Sequence, residues 1–205
     1  VETYSYWGWP DEYPSWNWEG YEGTIMDVRV FSKSPVVRLE LNGKLIGEQT
    51  IDTNIGITAN FKVPYKAGVI KAIALENGKE VASKELKTTG APAKIKLTAD
   101  RAVIKADRND LSYVKVGITD EQGNVIPDAS IPVTFTVSGI GEIAGSGNAN
   151  PTDMESFNSP VCKTFRGKAL VILRPIKNNI SGTITLTAEA PGLNTGEINI
   201  EIKDR

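Results

Sequence analysis

Residues Val36-Val37-Arg38-Leu39-Glu40-Leu41-Asn42-Gly43-Lys44-Leu45-Ile46-Gly47 combine two signals of antiparallel β structure. Over 36–41 the side chains alternate, the period-two pattern of a strand that buries one face. Asn42-Gly43 then supplies the pair that a type I′ hairpin turn wants, because both central residues must take positive φ. The reading extends outward in both directions. Residues 24–31 alternate, Asn77-Gly78 marks a second hairpin between 69–75 and 80–86, and 59–63 runs into Pro64, which suits a strand end or an edge. Residues 24–88 therefore predict about six short strands, enough for a small sandwich.

Thr88-Thr89-Gly90-Ala91-Pro92-Ala93 interrupts this pattern with small residues, Gly and Pro, and marks a domain boundary. A second alternating series follows at 95–99, 113–119, 131–137, 168–173, 183–190 and 197–202, with turn-forming stretches such as 120–124 between. No segment sustains a helical period. The expected fold class is all-β: two tandem immunoglobulin-like sandwiches, 24–90 and 91–205, preceded by an aromatic-rich connector at 1–23. The connection 143–164 has little apolar patterning, and loops that long are usually functional or cover a neighbour.

The connector holds all four tryptophans of the chain, Trp7, Trp9, Trp16 and Trp18, beside Tyr4, Tyr6, Tyr13 and Tyr21. Each large aromatic carries about 150–250 Å² of surface, so the four Trp amount to roughly 600–1,000 Å², more than a soluble monomer usually leaves exposed. The strip must therefore fold back on the chain, stack on a ligand such as a sugar, or line a contact with another part of a larger protein.

Composition narrows the chemistry. The chain has 205 residues, no histidine, one cysteine (Cys162) and a formal net charge of −2. Without histidine, Ser-His-Asp and Cys-His nucleophiles, His-ligated zinc and an imidazole base are excluded within these residues. A single cysteine forms no internal disulfide and no cysteine metal cluster. No basic stripe recommends nucleic acid or an anionic membrane as a partner. A carboxylate pair is the remaining acid–base device, as in glycoside hydrolysis. The pairs on offer, Asp11 with Glu12, Asp120 with Glu121 and Asp153 with Glu155, all lie in polar, turn-rich stretches where solvated surface is the simpler account. Asp100, Asp107, Asn109 and Asp110 lack the spacing and closing glutamate of a calcium loop, so no metal or cofactor is expected.

Trp16-Asn17-Trp18-Glu19-Gly20 with Glu22-Gly23, the 36–47 stretch, and Val63-Pro64-Tyr65-Lys66-Ala67-Gly68 resemble the domain that follows the catalytic barrel in one subgroup of glycoside hydrolase family 2, the β-galactosidase family. Asp100-Arg101, Asp110-Leu111-Ser112-Tyr113, the 120–127 turn, residues 150–157 and Phe165-Arg166-Gly167-Lys168-Ala169-Leu170 are similar to its last, immunoglobulin-like domain. The chain departs from the pattern at Pro14-Ser15-Trp16, where Pro-His-Trp is common, and at Ala149, where glycine is expected. The resemblance implies that the catalytic glutamates lie on an upstream barrel, so that this region is not itself an enzyme. It also implies a periplasmic or extracellular setting and a parent that removes galactose or a related sugar.

The expected function is thus a non-catalytic C-terminal accessory region that supports the catalytic barrel of the same parent chain and shapes substrate access. The Trp-rich segment would then be the contact surface between barrel and first sandwich. The alternative is a carbohydrate-binding module that takes oligosaccharide on exposed Trp and Tyr rings. Candidate binding residues are Trp7, Trp9, Trp16 and Trp18, with Asp153 and Glu155 as hydroxyl acceptors on the long loop. A dimerisation unit would need a contiguous apolar face on 24–205, which the alternation of most strands does not offer.

Overall fold

Both Asn-Gly pairs turn as the hairpin reading requires, with φ of 51° and 75° at Asn42 and Gly43 and the same values at Asn77 and Gly78. The computed structural model describes residues 12–204, and every element among them is a β-strand. The chain divides into two compact units, 1–88 and 89–205.

In unit 1, β1 (Ile25–Phe31) pairs antiparallel with β4 (Thr58–Pro64) as a two-stranded sheet. The other sheet has the order β3-β2-β5-β6, from β2 (Val36–Leu41), β3 (Lys44–Thr50), β5 (Val69–Glu76) and β6 (Lys79–Lys87). Alternation does the folding here. Val37, Leu39 and Leu41 of β2 and Ala59, Phe61 and Val63 of β4 are all buried, and they meet in one core. The two sheets are stitched by a side chain: the Gln49 amide on β3 donates to the Asn60 carbonyl of β4 and accepts from the Asn60 N–H, standing in for a strand pairing. The Asn42 amide extends its turn to a second loop by accepting from Val69 N and donating to Ala67 O. Gly68 between them has φ of 134°, and a Cβ there would lie 1.9 Å from Asn42 Oδ1.

Unit 2 is a larger sandwich. One sheet has the order β11-β13-β9-β7, from β7 (Lys94–Ala99), β9 (Ser112–Thr119), β11 (Gly141–Gly147) and β13 (Lys168–Pro175). The other has the order β12-β10-β14-β15-β8, from β8 (Val103–Lys105), β10 (Pro132–Gly139), β12 (Val161–Lys163), β14 (Gly182–Glu189) and β15 (Gly196–Lys203). Val114, Val116, Val171 and Leu173 of the first sheet pack with Val133, Phe135, Ile184, Leu186, Ile200 and Ile202 of the second.

Three strands escape the sequence reading. β8 and β12 have only three residues each, and β11 is Gly-Glu-Ile-Ala-Gly-Ser-Gly, whose glycines disguise it. Those glycines serve close approaches: a Cβ at Gly141 would meet Ile184 at 2.4 Å, and one at Gly147 would meet the Phe157 ring at 3.0 Å. The connection expected over 143–164 is accordingly shorter, running from the end of β11 at Gly147 to the start of β12 at Val161.

Candidate functional site

The aromatic segment is seated on unit 1. Trp16 is 3% exposed and belongs to the core with Phe61, Val63 and Tyr65, while Trp18 packs against it from a half-buried position. The Trp16 and Tyr65 rings meet edge to face at 5.2 Å. Polar atoms finish the seat. Trp16 Nε1 donates to Lys66 O at 3.0 Å, and the Tyr65 hydroxyl accepts from Trp18 N and donates to Trp16 O. The Thr88 hydroxyl donates to the same Trp16 carbonyl at 2.6 Å and accepts from Gly68 N. Trp16 and Thr88, the last residue of unit 1, thus bond each other directly across the unit's sequence.

For the sugar reading this geometry is specific. The Trp16 ring is spent on the core and offers no face to a pyranose. Trp18 and Tyr21 stand at 80° with centroids 6.5 Å apart, a corner rather than a coplanar platform, and Tyr21 is 54% exposed. Trp7 and Trp9 lie outside the described residues, as does Asp11.

Of the carboxylates named from sequence, Glu12, Asp120, Glu121 and Asp153 are engaged in local structure. Glu12 pairs with Arg29 at 2.7 Å and Glu121 with Lys94 at 2.8 Å. Asp120, 1% exposed, accepts from Asn124 N, the Asn124 amide and Gly90 N. Burial pushes its pKa up, but bonds from Asn124, Gly90 and Gln122 outweigh that and hold it below the usual value. Of the residues weighed for calcium, Asp100 accepts from Tyr113 N, Asp107 from Asn109 N, and Asp110 from Lys105 N, Leu111 N and the Arg101 guanidinium. No cluster of three or more acidic or cysteine side chains gathers for a metal ion among the described residues.

The loop between β11 and β12 holds Asp153 and Glu155. Asn148 anchors it, donating from its amide to Asp153 and to Lys163 O and accepting from Asn150 N. Asn150 accepts from Thr152, Asp153 from Glu155 N, Ser156 from Asn158 N, and Ser159 from Val161 N. Such Asx and Ser turns fix a loop from within. Both Asp153 oxygens are thus occupied, leaving Glu155 as the outward carboxylate. Beside the loop lies a recess of about 50 Å³ lined by Ser146, Asn148, Asp153, Phe157, Cys162 and Lys163, far below the roughly 300–1,000 Å³ of ligand pockets. Cys162 is buried there, and burial followed by the Asp153 charge pushes its thiol up, away from the reactive thiolate. Nothing in the local sequence marks Tyr65 and Thr88 as the partners of the Trp segment. Their side chains act across 49 and 72 residues of sequence separation, and no local pattern announces that.

Against known proteins, residues 95–199 match glycoside hydrolase family 2 C-terminal domain 5, and residues 23–82 match a domain of unknown function (DUF4982). The chain is 39% identical over 193 residues to the β-galactosidase BoGH2A of Bacteroides ovatus, covering 94% of this chain and 22% of that protein. It is 30% identical over 190 residues to a β-glucuronidase of Formosa agariphila, covering 92% of this chain and 19% of that protein. A solved glycosyl hydrolase family 2 member from Bacteroides cellulosilyticus superposes with a TM-score of 0.91 at 39% identity, over 96% of this chain and 25% of that one. The chain thus spans between about a fifth and a quarter of the length of these relatives. With half of its residues matched by the family's own C-terminal domain and its fold shared at 39% identity, this chain belongs to glycoside hydrolase family 2 as a C-terminal β-sandwich region.

Proposed function

We propose that this region is the non-catalytic accessory part of a β-galactosidase-like enzyme and holds the catalytic barrel of its parent chain in place. The observation that carries the reading is the seat of Trp16. A segment buried at the start of unit 1 and bonded to Tyr65, Lys66 and Thr88 makes a stiff handle for whatever module precedes it. The carboxylate pairs weighed for acid–base work support the reading too, since Glu12, Asp120, Glu121 and Asp153 are committed to turns and ion pairs. Excision of 12–204 from the parent enzyme tests it. The trimmed enzyme should inactivate faster on heating, and the 205-residue chain alone should hydrolyse no aryl galactoside. A trimmed enzyme as active and heat-resistant as the whole would refute the supporting role. A periplasmic or extracellular setting is proposed with it, to be checked by fractionating the source cells.

Carbohydrate binding is a second reading with one observation in its favour, the half-open corner of Trp18 and Tyr21. Tryptophan fluorescence titrated with galactosides decides it: saturable quenching lost in Trp18→Ala establishes a binding site, and a flat response removes it.

A further inference from the structure

The loop between β11 and β12 is held together by its own polar side chains. Asn148, Asn150, Asp153, Ser156 and Ser159 all bond within the loop or to its flanks, and Ser146 ties it back by donating to Ser159 O and to Phe157 O. Two large apolar side chains stand out from it beside the exposed Thr152, Glu155 and Asn158. Met154 is 94% exposed and Phe157 is 72% exposed. A single exposed apolar residue is ordinary. Two on one tip, held by a loop whose ordering cost is already met internally, make a preorganised contact element.

We infer that the Met154–Phe157 tip docks on the catalytic module of the same parent chain, an inference that rests on the supporting role proposed above. Relatives carry this region as 19–25% of a longer chain, so an apolar socket has ample protein in which to lie. The tip suits a protein socket better than a sugar. Both Asp153 oxygens are already accepting bonds, and the adjacent recess is too small for a pyranose.

The chain has two methionines, Met26 and Met154. Met26 packs against the core of unit 1 and serves as the internal reference. Peroxide oxidation followed by peptide mass spectrometry is the test, because methionine oxidation tracks exposure. Met154 should oxidise readily in the 205-residue chain and at least about tenfold more slowly in the intact parent enzyme, while Met26 is slow in both. Met154→Ser should leave the thermal midpoint of the isolated chain unchanged and speed heat inactivation of the parent. Equal oxidation of Met154 in chain and parent overturns the inference. So does protection that grows with the concentration of the isolated chain or vanishes when the parent is diluted to monomer, since a second copy would then be the cover. If excision of 12–204 destabilises the parent while Met154 stays as oxidisable as in the isolated chain, the docking fails and the supporting role stands.

Discussion

The two units solve the same problem with different means. Unit 2 sets five strands against four and buries a cluster of nineteen side chains, nearly all of them from strands. Unit 1 sets two strands against four, and its cluster has ten among the described residues. At about 4.8 Å between strands, a two-stranded sheet covers roughly half the width of a four-stranded one. The rest must come from outside the strands, and Trp16, Tyr65 and Ile51 all do, as members of the unit 1 core. A small sandwich can therefore borrow from its flanking chain the surface that it lacks strands to supply, and the borrowed segment becomes a fixed attachment.

Trp16→Ala puts the largest strain on that comparison. Removing a buried tryptophan costs about 3–5 kcal/mol, and a domain of this size shifts by about 4–8 °C per kcal/mol. Calorimetry of the chain should show the unit 1 transition falling by more than about 10 °C with that of unit 2 unmoved. A unit 1 transition that stays in place would mean that the strands close the core without the ring.

Unit 2 instead relies on carboxylates at its turns. Asp120 holds the turn after β9 and reaches Gly90, and Asp120→Ala removes the acceptor of the Gly90 and Asn124 N–H groups at a cost of about 1–2 kcal/mol. Asp120 shares a direction of shift with two other groups of this unit. Bonds from Lys105 and Arg101 outweigh burial and lower the pKa of Asp110. Glu142 is lowered first by its bond from Arg174, with the Arg108 charge adding to it. A carboxyl whose folded pKa lies below its unfolded one adds stability that is fully present above the unfolded value and is lost as pH falls through the folded one. With ordinary values of 3.8 for Asp and 4.5 for Glu, the unit 2 midpoint should hold at neutral pH and drop below about pH 4. Asp120→Asn should flatten that drop. A midpoint that rises on acidification would show the sign to be wrong.

Much of this was legible in the sequence, for physical reasons that also explain what was hidden. Alternation and the two Asn-Gly pairs place five of the six strands of unit 1 and imply β3 as the return of the first hairpin, because each signal is local: β2 buries every second residue, and both turns have the positive φ that Asn-Gly tolerates. β11 was illegible because its glycines make room for Ile184 and Phe157, a packing demand set by residues far away in sequence. The Trp strip was visible as surface in need of a cover, but its cover was not. The depth of Trp16 depends on Tyr65, and Tyr65 reads locally as nothing more than the residue after a strand-ending proline. At the β11–β12 loop, composition suggested the Asx turns, yet no local pattern announced that Met154 and Phe157 stand exposed.

The smallest effect sharpens the point at which the chain enters and leaves unit 1. Thr88→Val keeps the shape of the side chain and removes the donor to Trp16 O and the acceptor for Gly68 N. Each hydrogen bond contributes about 1 kcal/mol net, and the Trp16 carbonyl retains its 3.4 Å bond from the Tyr65 hydroxyl. The loss should stay near 1–2 kcal/mol, smaller than that of Trp16→Ala. Its signature is local. Amide exchange at Gly68 should speed up while the interior of β5 stays protected, because opening at a junction need not open the sheet. If Thr88→Val instead costs as much as Trp16→Ala, the threonine bond is a condition for seating the ring, and unit 1 is closed by its exit as much as by its entry.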